Sequence, residues 1–380
     1  FFVNQPNIDV DRFLGVRSGK RKQQWISVKD TKKNAEKRLA ELLHQLDTGT
    51  FMKPEKTTLA DFLDQWLKDY AYVNLAPRTA EGYETIIRQH LIPKLGRIPL
   101  TQIKPEHIQR YYADMLANGR CDGKGSLSSL TVRHHHMILH NALKCAVKWG
   151  LLVRNPVDAI DAPRTTHTEM KVMNEDDLNR FLEVVKSTPY YSLFYLALFT
   201  GMRRSELLGL HWSDVDLLLC QISVTRTMHR LNNGNIIFRP PKTAKGRRII
   251  SLSPSTALML QRHRKDQETL QLLQGTPFTI TDLVFPREDG SPLRPNAVTS
   301  AWLRLVKRAG LHHIRLHDAR HTHASLMLKQ GIHPKIVQER LGHSSIAITL
   351  DTYSHVTPGL QEAAASRFDD VLLKNKESFV

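Results

Sequence analysis

Cysteine is scarce: Cys121, Cys145 and Cys220 are the only three in 380 residues. An odd, scattered set argues against a disulfide framework and a structural zinc site, and fits a reducing cytosol. Long hydrophobic runs are missing too. The longest, Leu193 to Phe199, falls far short of the roughly 20 apolar residues that span a bilayer. Acidic residues are in deficit, with 37 Asp and Glu against 54 Lys and Arg, a formal net charge of +17 and a pI near 9.8. No low-complexity tract or internal repeat is present, which excludes solenoid and collagen-like architectures.

What remains is a basic chain with 41% hydrophobic residues, enough for two or three cores at this length. The charge favours a polyanionic partner, and without a membrane segment nucleic acid is the better choice. Charge alone does not separate a DNA enzyme from a simple DNA-binding protein.

Three segments differ in pattern. In residues 1–54, a basic turn (Lys20, Arg21, Lys22) precedes the strand-like Gln24 to Val28. Thr31 to Leu46 then has the one-face spacing of a helix. Residues 57–160 predict a bundle of four amphipathic helices. Thr58 with Asp61 predicts the first cap, and the second helix is expected to stop at Pro93 and Gly96. His134-His135-His136 point in different directions on the fourth helix, so they cannot share one ion, and they read as surface residues.

Residues 172–380 begin with Asn174 capping a helix through Asp177, followed by a run, Tyr191 to Thr200, apolar all round and therefore buried. Strand-like runs at 221–227, 236–239 and 248–252 predict a three-stranded antiparallel meander, and helices resume after Pro254, Pro295 and His317. The fold class is multidomain and mainly α: a small α/β module, a helical bundle, and a mostly helical domain with a three-stranded sheet.

Cutting a phosphodiester without a metal requires a nucleophile, donors to hold the phosphate's charge, a base and an acid. The last segment offers each in order. Thr200-Gly201-Met202-Arg203 places an arginine in a tight turn after the buried helix. Lys242 lies on a turn of the small sheet. His317 and Arg320 share one face of a helix start. Leu341-Gly342-His343 and Thr352-Tyr353 follow.

This series resembles the tyrosine recombinase family, the integrases of phages and conjugative transposons. The middle segment resembles that family's core-binding domain, especially Leu75-Ala76-Pro77-Arg78-Thr79. The first resembles its arm-binding domain. The resemblance implies that Tyr353 attacks to leave a 3′-phosphotyrosyl bond and a free 5′ hydroxyl. Arg203 and Arg320 would grip the phosphate, and Lys242 would protonate the leaving oxygen. His317 would take or relay the tyrosine proton, and His343 would donate to a phosphate oxygen. The ester bond keeps the energy of the cut strand, so the resemblance implies neither ATP, cofactor nor metal.

Two assignments have neighbouring rivals: Arg204 beside Arg203, and Lys245 on the turn of Lys242. Lys245, Arg247, Arg78, Thr79 and the basic turn Lys20-Arg21-Lys22 are candidate DNA contacts. Many family members have Leu or Phe where Ala319 and His323 stand, and these read as packing positions. The resemblance also implies double-stranded DNA with core and arm sites as partner. It implies a tetramer on that DNA, cytoplasmic action at the bacterial nucleoid, and help from an excision factor or host bending protein. The apolar residues Leu360, Ala364, Phe368, Val371 and Leu372 predict a tail helix from Pro358 to Leu373. A type IB topoisomerase would use similar chemistry to relax supercoils. A DNA-binding regulator would explain the charge but not the full series.

Overall fold

A computed structural model describes residues 57–165, 170–274 and 282–353, together with 7–9, 25–27 and the helical positions 33, 34, 36, 37, 40 and 44. The chain divides into two compact units, Phe1–His167 and Thr168–Val380. Among the described residues no helix is long and apolar enough to cross a membrane.

In the first unit, strands β1 (Asn7–Asp9) and β2 (Trp25–Ser27) pair antiparallel with Ile8 opposite Ile26. Helix α1 (Leu59–Trp66) starts at a capping box. The Thr58 hydroxyl accepts from the Asp61 N–H at 3.2 Å, and the Asp61 carboxylate accepts from the Thr58 N–H at 3.0 Å. Its buried face, Leu59, Phe62, Leu63 and Trp66, enters the bundle core. Helix α2 (Pro77–Ile86) does not stop at Pro93. A π-helical turn (Ile87–Leu91) precedes a last helical turn (Ile92–Leu95), and the chain breaks only at Gly96. Pro93 falls in the first turn of that last piece, where a missing N–H costs little.

Helices α3 (Pro105–Asn118) and α4 (Ser129–Lys148) complete the bundle. His135 on α4 is fully buried, and its Nδ1 lies 2.8 Å from the Tyr111 hydroxyl. A surface assignment for all three neighbouring histidines is therefore wrong at His135. The helix turns that residue inward, where a tyrosine from α3 partners Nδ1, while Nε2 has no hydrogen-bond partner among the described residues.

The second unit opens with α5 (Glu175–Lys186), capped by Asn174 and Asp177 in a capping box. The apolar α6 (Tyr191–Thr200) is buried and ends on left-handed Gly201. Phe181 and Phe194 pack against Trp302 of α9 (Pro295–Arg308), with ring centroids 4.5 and 5.1 Å away. Each such ring contributes roughly 1.5–3 kcal/mol by burial. A short α7 (Arg204–Leu207) leads to the strands.

The three-stranded sheet is present with different members from those expected. Its order is β3 (Val215–Asp216), β4 (Gln221–Val224), β7 (Arg248–Ser251), while β5 (Thr227–Arg230) and β6 (Ile236–Arg239) form a separate hairpin. The run 221–227 breaks because Asp214 receives both the Thr225 hydroxyl at 2.8 Å and Arg226 Nη2 at 3.2 Å, turning the chain out of the sheet. Helix α8 (Pro254–Gln274) follows. Beyond α9, helices α10 (Asp318–Lys329), α11 (Pro334–Leu341) and α12 (Ile346–Tyr353) complete the described part of the unit.

Candidate active site

Arg203 stands at the start of α7, where the left-handed Gly201 has just turned the chain out of α6. Its guanidinium donates to Glu206 Oε1 at 2.7 Å and its backbone N–H to Oε2 at 2.8 Å. The same carboxylate receives Arg248 of β7 through Nη1 at 3.1 Å and Nη2 at 2.9 Å. Glu206 is only 1% exposed. Burial raises its pKa, but the Arg248 hydrogen bond and the charges of Arg248 and Arg203 outweigh that and hold the carboxyl below its usual range. The neighbouring Arg204 turns elsewhere, donating to the Thr299 hydroxyl at 2.6 Å.

Arg320, on the first turn of α10, is 3% exposed. Nη1 donates to the Gly201 carbonyl at 2.8 Å and Nη2 to the Leu341 carbonyl at 2.6 Å. These carbonyls lie at the C-terminal ends of α6 and α11, where a cation is favoured. Both ends close on glycines with positive φ, +65° at Gly201 and +69° at Gly342. A Cβ on Gly201 would lie 2.6 Å from Leu341 Cδ2, and one on Gly342 2.8 Å from the Lys245 carbonyl. The glycines thus let two helix ends approach closely enough for one guanidinium to span them. Arg203 follows the first glycine by two residues and His343 follows the second directly.

His317 forms the start of α10 and is exposed on one side. Burial, then the charge of Arg320, lowers its pKa, with Arg203 adding to the effect. For His343, burial and then Arg320 and Arg203 push the pKa down to about 3. The structure thus brings Arg203, Arg320, His317 and His343 together, each imidazole within the field of both guanidiniums. His321 stands edge-on to His317 at 4.9 Å and is pushed to about 4, chiefly by burial. Asp318 is buried and accepts from the Arg315 N–H at 2.7 Å, closing the turn that leads into α10.

Lys242 is exposed beyond β6, and among the described residues its ammonium has no hydrogen-bond or ion-pair partner. Lys245 donates to the Ser344 carbonyl at 2.8 Å, tying its turn to the loop after His343. Arg247 is exposed nearby. In the first unit Arg78 and Thr79 are exposed at the start of α2, with Arg78 paired to Glu81 at 3.0 Å. Tyr353 is the last residue of α12. Lys20, Arg21, Lys22 and the expected tail helix lie outside the described residues.

Three residues escaped the sequence reading. Arg248 left a signal: strand alternation puts it on the face of Ile250, which is 1% exposed, while Ile249 between them is 63% exposed. Arg340 donates to His323 Nε2 at 3.0 Å, the Ser251 carbonyl at 2.8 Å and the Phe199 carbonyl at 3.1 Å. Arginine only donates, so His323 carries its proton on Nδ1 and gives it to the Leu198 carbonyl at 2.9 Å. His323 is thus a polar tie. The third, Thr349, contacts His343.

Guanidiniums converging with neutral imidazoles suit one task, holding a phosphodiester while its bonds exchange. On a mostly helical domain that follows a separate helical bundle, this is the class of the DNA strand-transfer enzymes. The Phage integrase family matches residues 171–359, and the Phage integrase N-terminal SAM-like domain matches residues 58–116. A tyrosine recombinase XerC-like protein of Caldanaerobacter subterraneus subsp. tengcongensis is 29% identical, covering 90% of each chain. The ICEBs1 integrase of Bacillus subtilis (strain 168) is 26% identical, covering 91% of this chain and 92% of the relative. The fold is that of the Tn1549 transposon integrase solved with circular intermediate DNA (TM-score 0.67, 23% identity, covering 82% of this chain and 99% of that one). A lambda integrase dimer bound to a core site is also similar (TM-score 0.56, 21% identity, covering 77% and 97%). The chain belongs to the tyrosine recombinase family of phage integrases: it is a site-specific recombinase, an enzyme that cleaves and rejoins DNA.

Proposed function

We propose that this recombinase integrates and excises a mobile element, with Tyr353 as nucleophile. The observation that carries the assignment of roles is the Arg320 fork, which ties together the two glycine turns leading to Arg203 and His343. Arg203 and Arg320 hold the non-bridging oxygens of the scissile phosphate, and losing such a donor typically costs about a hundredfold to a thousandfold in rate. His317, neutral near pH 7 because its pKa is lowered, accepts the Tyr353 phenol proton as the oxygen attacks phosphorus. The P–O5′ bond breaks, Lys242 protonates the departing 5′ oxygen, and a 3′-phosphotyrosyl ester remains. Attack by a partner strand's 5′ hydroxyl reverses these steps and frees the tyrosine.

The partner is double-stranded DNA with core and arm sites. The domains at 57–160 and 172–380 hold the core site, and residues 1–54 hold the arm site through Lys20, Arg21 and Lys22. Arg78, Thr79, Lys245 and Arg247 add phosphate contacts, so affinity falls steeply with salt. A homotetramer on two sites carries out exchange in the bacterial cytoplasm, directed by an excision factor or host bending protein. The relatives named as integrases and their coverage over about nine-tenths of this chain support this reading.

The test is covalent trapping on a nicked duplex spanning the joined ends of the element that encodes the protein. Wild-type protein forms an adduct resistant to denaturation, and Tyr353→Phe forms none. An adduct with the phenylalanine variant overturns the assignment. Relaxation of a supercoiled plasmid without paired-site exchange would favour a topoisomerase.

A further inference from the structure

Helix α12, which ends on Tyr353, is anchored in an unusual way. Among residues 346–350, Ile346, Ile348 and Leu350 are 38, 41 and 44% exposed, while Thr349 is fully buried. A hydroxyl buried in preference to aliphatic neighbours needs a hydrogen bond to offset its lost hydration. Its Oγ1 lies 2.9 Å from His343 Nδ1, the one partner found for it among the described residues. The backbone of His343 is held from another side, its carbonyl accepting from the buried Gln338 amide at 2.6 Å.

A neutral imidazole has one proton, and the bond made by one ring nitrogen decides which nitrogen carries it. His343 is neutral near pH 7, because burial and the charges of Arg320 and Arg203 disfavour its cation. With the proton on Nδ1, Nε2 would turn a lone pair toward a phosphate oxygen and repel it. A threonine hydroxyl donating to Nδ1 puts the proton on Nε2, where it can be donated to the phosphate.

We propose that Thr349 is a positioning residue that donates to His343 Nδ1, fixing the Nε2–H tautomer and pinning the Tyr353 helix to the His343 turn. The proposal rests on the reading of His343 as a phosphate donor and Tyr353 as nucleophile. One bond then makes the donor and the seating of the nucleophile's helix interdependent.

The test compares Thr349→Val, which keeps the shape without the hydroxyl, with Thr349→Ser, which keeps the hydroxyl. Single-turnover adduct formation at saturating nicked duplex, DNA affinity, melting midpoint and histidine nitrogen NMR are read for each. Hydrogen-bond partners that orient metal-bound histidines typically matter about 10–100-fold, and an effect of that order is expected for an orienting bond of the same kind. The valine variant is expected to lose that much in cleavage rate, with affinity within about twofold, while serine restores the rate. In wild-type protein without DNA, the His343 signals should report a proton on Nε2, and in the valine variant a shift toward Nδ1. Wild-type rates in the valine variant, equal slowing in both variants, or a wild-type proton on Nδ1 would each overturn the proposal. If the valine variant fails to fold, the wild-type tautomer and the serine variant decide. Because the tautomer is read without DNA or cleavage, failure here is separate from failure of the Tyr353 assignment.

Discussion

Arg203 is gripped at two points by Glu206, through the guanidinium at 2.7 Å and the backbone N–H at 2.8 Å. The carboxylate therefore fixes both where the chain turns and where the side chain points. It also joins Arg203 to the buried Arg248, so the site and the edge of the sheet share one ion cluster.

Glu206→Ala leaves the Arg248 charge buried without its partner, a change that typically costs about 3–5 kcal/mol. Glu206→Gln keeps the shape and part of the hydrogen bonding, so it should destabilise less while still loosening Arg203. The expected outcome is a lower urea midpoint for both variants, in the order wild type, Gln, Ala. Adduct formation by the Gln variant should fall at least about tenfold, a part of what loss of the donor itself would cost. If the Gln variant cleaves at the wild-type rate, Glu206 supports only the fold.

The two lysines of the 242–246 turn differ in their commitments. Lys245 is tied to the Ser344 carbonyl, while Lys242 is exposed with no partner among the described residues. A general acid typically contributes about 10²–10⁴-fold. Lys242→Ala should lose a factor of that order on ordinary DNA and far less on a duplex whose leaving oxygen is replaced by sulfur, which needs no proton to depart. Lys245→Ala should slow both substrates alike and by less. Equal slowing of both substrates by Lys242→Ala would remove Lys242 from the acid's role.

Much of this was legible because it is local. Capping boxes at Thr58 and Asn174 lie within four residues, and the Thr-Gly-x-Arg and Leu-Gly-His turns announce their positive φ through glycine. The rest depends on residues far apart in the chain. Nothing near Gln221 says that it will pair with Ser251. Nothing near His135 says that Tyr111 will meet it, and His323 reads as a core position until Arg340 reaches it from another helix. The π-helical turn before Pro93 is likewise invisible, since it depends on how the bundle seats Ile87 and Leu91.

The buried histidines make stability sensitive to acid. Burial, aided by the Arg340 charge, pushes His323 to about 3, and burial likewise pushes His135 to about 4. Unfolded histidine titrates near 6.5, so on acidification the unfolded chain takes up protons first. The stability these rings contribute is complete above about pH 6.5 and is lost as pH falls toward the folded values. His323→Gln removes one such proton while its amide can still accept from Arg340 and donate to Leu198. Urea unfolding free energies of wild type and this variant should therefore run parallel above about pH 6.5. Below it the wild type should lose about 1.4 kcal/mol more per pH unit. Comparing the two proteins cancels the carboxylates that titrate in the same range. Parallel curves down to about pH 4 would mean that His323 is protonated in the folded state, and the neutral Arg340–His323 tie would have to be abandoned.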